Sequence, residues 1–229
     1  MRFVHIAVFL AWWLPMAVPA SWAAGFRCEP NAQLALRVGH YAKKSLWENL
    51  ATQKVWSKAN QRFNDGWISA VDIDKMGNAF ANLGWHEGGT PCITFRGEEL
   101  WAADTSAPPA KWEGPYIRVS ASTNGETIYF NRIFGNKCYS SKAKEHWCFG
   151  DGQITIGKKR FKAFIQSDMS EAPEYGTPVN IDGNEGFLVF VPFQGGWKVF
   201  KDTFVTAEGR KDIDPAKTPP WLILSPIPQ

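Results

Sequence analysis

The residues most able to do chemistry in this chain are Trp85-His86-Glu87-Gly88-Gly89. A histidine beside a carboxylate in a glycine-rich loop has the makings of a general acid/base pair or half of a metal site. The second histidine of His-Glu-x-x-His is missing, and glycines there would break the helix that the motif needs. The plainer expectation is a surface turn after a strand, so Trp85, His86 and Glu87 are candidate ligand-binding residues and no catalytic residue is assigned. Asp72-Ile73-Asp74-Lys75-Met76-Gly77 opens like a calcium loop, but Met76 and Leu83 stand where oxygen ligands belong. A hairpin turn explains it better. Asp168, Glu171 and Glu174 share one long connection with Tyr175. Paired carboxylates suit glycoside hydrolysis, but solvent exposure in a Pro-containing loop is much the stronger explanation. No nucleophile elbow, phosphate loop or dinucleotide fingerprint occurs. No metal site and no cofactor are expected.

Flat indole faces stack on sugars or anchor interfaces, and they are also ordinary core material. Three of the twelve tryptophans fall in residues 1–23, and of the nine beyond them most must be core. Trp112 and Trp147 join Trp85 as candidates for exposed platforms on loops.

Positioning such residues calls for a mostly β protein. From residue 67 onward, short apolar runs alternate with turn signals at 74–77, 96–98, 122–125, 157–159 and 194–196. The expected fold is an antiparallel meander forming a sandwich or a barrel. The pairing expected across 122–125 joins strands at 116–120 and 127–134. Residues 187–193 are apolar on both faces, which suggests a strand buried on both sides or facing a cavity. One N-terminal helix is expected over residues 45–63. Ser45-Leu46-Trp47-Glu48 matches a capping box, and Leu46, Leu50, Val55, Ala59 and Phe63 recur at helical steps. Upstream, residues 34–38 suit either a strand or a short helix opening after Asn31.

The chain is expected to divide into a signal peptide at 1–23, one β-rich domain at 24–211 and a Pro-rich apolar tail at 212–229. Arg2, an apolar stretch and the small residues around Ser21-Trp22-Ala23 give the layout of a secretory leader. No stable membrane span is expected after cleavage. In the tail, Trp221, Leu222, Ile223 and Leu224 lie between proline-rich flanks. Four large apolar residues in a row seldom dangle in water, so they are candidate partner-binding residues that dock on the body or on another protein.

An even count of four cysteines in an exported chain argues for two disulfides. Cys138 with Cys148 is the local choice, leaving Cys28 with Cys92. The net charge of +3 is mixed along the chain, so nucleic acid is not an expected partner. Lys158-Lys159-Arg160 reads as solvated turn charge.

The leading functional expectation is a periplasmic or secreted, non-catalytic binding protein for a protein partner or small ligand, including an inhibitor or immunity-type role. A hydrolase acting on an envelope polymer and a structural subunit of an envelope assembly are the alternatives.

Overall fold

A computed structural model describes residues 27–56, 68–83, 87–89, 91–103, 111–122, 125–165, 175–182, 187–201, 205–206, 209–210 and 214–227. The protein is mostly β and antiparallel, with an open first sheet and a closed barrel. The signal peptide expected at 1–23 lies outside the described residues.

The first sheet holds seven strands, β1 Gly39–Lys43, β2 Ile68–Ile73, β3 Ala79–Leu83, β4 Glu87–Gly89, β5 Cys92–Arg96, β6 Glu99–Ala103 and β7 Trp112–Ser120, in the order β4-β3-β2-β1-β7-β6-β5. Period-2 alternation sorts its side chains. Tyr41, Val71, Ile73, Ala79 and Ala81 gather with Leu100, Ala102 and Tyr116 in one buried cluster. His40, Asp72 and Phe80 lie directly across from one another on the opposite face. Residues 34–38 take the helical option: a short helical turn, α1 Asn31–Leu34, runs into a 3-10 turn at Ala35–Arg37.

The expected helix is real but shorter than its pattern. α2 spans Lys44–Gln53, and Lys54 leaves it with φ 54° and ψ 37°, its N–H donating to the Leu50 carbonyl. Two residues on, the Trp56 N–H donates to the Thr177 hydroxyl at 2.8 Å, which draws the chain away from the helix axis. Ser45 sits inside the first turn, because the helix opens at Lys44. The remainder of the expected helix, 57–63, lies outside the described residues.

A correction falls at 125–134. These residues form a helix, α3 Gly125–Phe134, not the second strand of a hairpin. Thr127, Ile128, Tyr129 and Phe130 have the β-branched and aromatic character of a strand. Burial decides otherwise, because Phe130, Ile133 and Phe134 fall on one helical stripe and are at most 2 % exposed.

The barrel follows: β8 Lys137–Ser141, β9 His146–Gly150, β10 Gln153–Ile156, β11 Lys159–Ile165, β12 Thr177–Ile181, β13 Phe187–Phe193 and β14 Gly196–Lys201. A small two-stranded ribbon, β15 Val205–Thr206 and β16 Gly209–Arg210, precedes the last strand, β17 Leu222–Pro226. β17 pairs with β14 on one side and β8 on the other, closing the barrel. The apolar segment read as a tail is therefore the eighth barrel strand, and Leu224 is 1 % exposed. β13 is buried on both faces: Leu188 and Phe190 point into the barrel core, while Phe187 and Val189 join Phe200 in a separate cluster.

Both disulfides form as the spacing suggested. Cys138–Cys148 joins directly paired residues of β8 and β9, and Cys28–Cys92 ties the N-terminal segment to β5. Two such bonds fit an oxidising extracellular compartment. Among the described residues, no helix is long and apolar enough to cross a membrane.

Two stability experiments follow. Deleting residues 218–229 removes a strand bonded on both sides, together with the buried Leu224. Loss of one buried leucine side chain alone costs about 2–5 kcal/mol. The truncated protein should therefore lose its cooperative thermal transition or melt at least 10 °C lower, by roughly the scaling for this size; an unchanged melting curve would show that the barrel does not need this strand. The disulfides span sequence separations of 10 and 64 residues. In the chain-entropy picture they restrict the unfolded state by about 2.7 and about 4.3 kcal/mol. Denaturant melts should show the Cys28→Ser/Cys92→Ser variant destabilised more than Cys138→Ser/Cys148→Ser; the reverse order would contradict that picture.

Candidate functional site

One polar cluster links the first sheet to α3. His40 on β1 sits opposite Asp72 on β2, with Nδ1 and Oδ1 2.8 Å apart. The other ring nitrogen, Nε2, lies 3.2 Å from the Tyr129 hydroxyl on α3. His40 is 3 % exposed, whereas the Asp72 side chain is 30 % exposed. Gly125 packs on the imidazole so closely that a Cβ there would stand 2.8 Å from Cε1. Around Tyr129 stand the rings of Trp56 at 5.2 Å and Trp47 at 6.1 Å, and the Arg132 guanidinium lies over Trp47 at 4.4 Å.

An oriented histidine bonded to a hydroxyl has the outline of a nucleophile, a base and its orienting group. The electrostatics oppose that use. Burial first, and then the nearby Asp72 charge, push the Tyr129 hydroxyl well above the ordinary tyrosine range. The phenol is held neutral, and a tyrosine that resists ionisation is a poor nucleophile. With Asp72 ionised, Nδ1–H donates to the carboxylate. Nε2 then accepts from the Tyr129 hydroxyl, or donates to it when the ring is protonated. The hydroxyl can serve both states, so the cluster acts as a staple between sheet and helix.

A second constellation occupies the end of the barrel where β9, β11 and β17 begin and β14 ends. Trp147 on β9 is 2 % exposed, and its Nε1–H donates to Glu145 at 3.1 Å. The Trp221 ring packs edge-on against it at 6.2 Å and is 49 % exposed. The Lys201 ammonium lies 4.4 Å from the Trp221 ring centroid.

A third feature lies at the β2–β3 hairpin. Asp74 accepts hydrogen bonds from the N–H groups of Met76 and Asn78 and from the Asn78 side chain. Those bonds, the Asn78 side chain first, hold its carboxyl below the usual range. Asp74 thus organises its own turn, and Asp72 is turned to His40. Asn31 bonds to Asn78 at 3.3 Å, and Gly77, at φ 78°, lies against the backbone of Asn31 and Ala35. These contacts fix three exposed apolar side chains at one end of the sheet: Leu36 at 84 %, Met76 at 72 % and Phe80 at 53 % exposure.

The structure distributes the sequence candidates rather than gathering them. Trp85 and His86 lie outside the described residues. Glu87 opens β4 opposite Leu83, and nothing is described of its side chain. Trp112 opens β7 opposite Ala103 and is half-buried. Trp147 is not an exposed loop platform: it points inward from a strand, into the barrel core. Of the tail quartet, Leu224 is core, Leu222 and Ile223 are half-buried, and Trp221 keeps an open ring. Asp168, Glu171 and Glu174 lie outside the described residues. Among the described residues, no three His, Cys, Asp or Glu side chains gather as a metal site. Comparison with family models, curated proteins and solved structures finds no match for this chain.

The His40 cluster went unnoticed in the sequence because its partners are 32 and 89 residues away. The usable signal was a histidine and an aspartate in two mostly apolar segments, the histidine needing a partner once buried.

The staple makes a definite pH statement. The folded state raises the Tyr129 pKa above the ordinary 10.0. Above about pH 10 the unfolded chain therefore releases a proton that the folded chain keeps, and stability falls as pH rises. Burial also raises the Tyr41 pKa, with the same sign. In urea melts between pH 8 and pH 11, Tyr129→Phe should fall less steeply than wild type. At pH 8 it should be destabilised by about 1 kcal/mol through the lost hydrogen bond. Equal alkaline slopes would show that the Tyr129 hydroxyl is not held as described.

Proposed function

We propose that this chain is an exported, non-catalytic binding protein of the cell envelope whose partner is another protein. The observation that carries this reading is the apolar end of the first sheet. Leu36, Met76 and Phe80 are more than half exposed on segments fixed by hydrogen bonds and close backbone packing. Large apolar side chains presented to water from fixed backbone segments are what a protein interface uses. The closed geometry of the Asp72–His40–Tyr129 cluster supports a binding role over a hydrolytic one. The leader-like residues at 1–23 and the two disulfides support a periplasmic or secreted location.

A photoreactive amino acid at position 76 tests the site, with the same group at Asp151, a turn in the barrel half, as control. In cells, position 76 should give one discrete crosslinked species that the control lacks. The Leu36→Ser/Phe80→Ser variant should lose that crosslink while melting within about 2 °C of wild type, since exposed positions contribute little to stability. Crosslinks alike at both positions, or none at position 76, would remove the basis for this reading.

A further inference from the structure

We propose that β5 is a strand-docking edge for a second copy of this chain, opened when a dithiol reduces the Cys28–Cys92 disulfide. Among the described residues the first sheet ends in β4 on one side and β5 on the other. β4 has three residues, two of them glycine, whereas β5 has five. Along a strand, backbone groups point alternately toward one neighbour and away from it. Those of Ile93 and Phe95 point away from β6, because both reach Glu29. The Glu29 N–H donates to the Ile93 carbonyl at 2.7 Å, and the Phe95 N–H donates to Glu29 Oε1 at 2.9 Å. One residue that bridges the groups on either side of Thr94 stands in for a neighbouring strand, with a carboxylate oxygen in place of a carbonyl. Residues 28–30 thus form a strap over the edge. The strap is short, since Pro30 has no N–H to extend the pairing and α1 begins at Asn31.

The strap is tied to β5 by those two hydrogen bonds, each of modest net strength, and by one covalent bond. The covalent bond is the strong tie, and it is within reach of a reductant. Cys28 is exposed, while Cys92 is 8 % exposed. A dithiol's first thiolate attacks the Cys28 sulfur and displaces Cys92 as a thiolate. Its second thiol then closes on the first and releases Cys28. Two electrons and two protons pass to the cysteine pair, which ends as two thiols, and the dithiol ends as a disulfide. Arg27, Cys28 and Pro30 are all exposed, so the outer side of the strap faces solvent and nothing packed over it holds it down.

A second copy fits the freed edge because β5 is complementary to itself. Two antiparallel copies related by a two-fold axis through Thr94 place Ile93 of each opposite Phe95 of the other. Each such pair exchanges both of its N–H···O bonds. The groups used include the Ile93 carbonyl and the Phe95 N–H that Glu29 now covers. Side chains agree with that register. β-branched Ile93 beside aromatic Phe95 is a favourable cross-strand pair, and Thr94 meets Thr94 at the axis. Arg96 falls opposite Cys92, so no like charges stand directly across from each other. An unrelated strand would satisfy the backbone, but the two-fold match is a property of β5 itself and favours a second copy. With the strap in place the edge is already bonded, which is how an open sheet avoids pairing with its neighbours.

Sedimentation velocity of the full chain tests this. A contact of this size belongs to the weak class, so protein is taken from about 5 to about 500 µM. The oxidised chain should stay monomeric. In Cys138→Ser/Cys148→Ser, dithiothreitol has only the Cys28–Cys92 bond to open. That reduced protein should form a discrete dimer, with an association constant at least about tenfold above its oxidised form. Thr94→Lys sets two ammonium groups face to face on the axis, and it should return the reduced protein to monomer. The proposal is overturned if the reduced protein keeps its cooperative thermal transition and remains monomeric. It is equally overturned if the oxidised form dimerises as strongly, or if Thr94→Lys leaves the association unchanged. Should the reduced chain unfold, Glu29→Pro decides, since it keeps the disulfide and removes both hydrogen bonds to β5. A dimer of oxidised Glu29→Pro that Thr94→Lys abolishes supports the proposal, and a folded monomer overturns it. The crosslink at position 76 concerns the oxidised chain and is independent of these outcomes.

Discussion

Closure of the barrel by β17 is the constraint on which the rest of the structure depends. Strands β8 to β14 taken alone would leave two edges, at β8 and β14, each with unpaired backbone groups. The last strand satisfies both at once, with Leu224 opposite Trp197 on one side and Ser141 on the other. Closure also defines an interior, and that interior is filled from outside the sheet. Phe134 of α3 stacks on Phe149 at 4.8 Å with planes 8° apart and meets Trp197 at 4.9 Å. Without the final strand there is no enclosed site for Phe134, and the helix loses the burial that makes it a helix rather than a strand. Residues of β17 thus support the conformation of residues nearly a hundred positions earlier, a non-local contact whose loop-closure cost comes before the burial that rewards it.

α3 also connects the halves, since the chain passes from β7 through it into β8. Its other face carries Tyr129, which reaches His40 on β1. α2 packs against β1, β7 and α3, and Leu46 and Leu50 belong to the same buried cluster as the barrel core. The first sheet is therefore anchored through two helices and one polar staple. A buried histidine with both nitrogens bonded suits this role, because protonation adds attraction to Asp72 while the tyrosine hydroxyl switches from donor to acceptor. A purely apolar contact would tolerate sliding, whereas a three-membered polar cluster fixes the register of α3 over β1.

The sequence revealed strands where local chemistry is decisive and misled where distant burial is. The turns at 74–77, 96–98, 157–159 and 194–196 are set by glycine and by Asx geometry, so they were legible. Gly77, Gly97, Gly157 and Gly195 all take positive φ, which side chains resist. The double-sided apolar pattern of 187–193 was likewise a true sign of burial on both faces. At 125–134 the β-branched and aromatic residues pointed to a strand, and only a hydrophobic stripe that the barrel needs makes them a helix. At 54–56 the helical pattern continued in the sequence, but one hydrogen bond from Trp56 to Thr177, 121 residues away, outweighs it. The same limit hid the candidate site. His40 meets partners 32 and 89 residues away that no spacing rule connects.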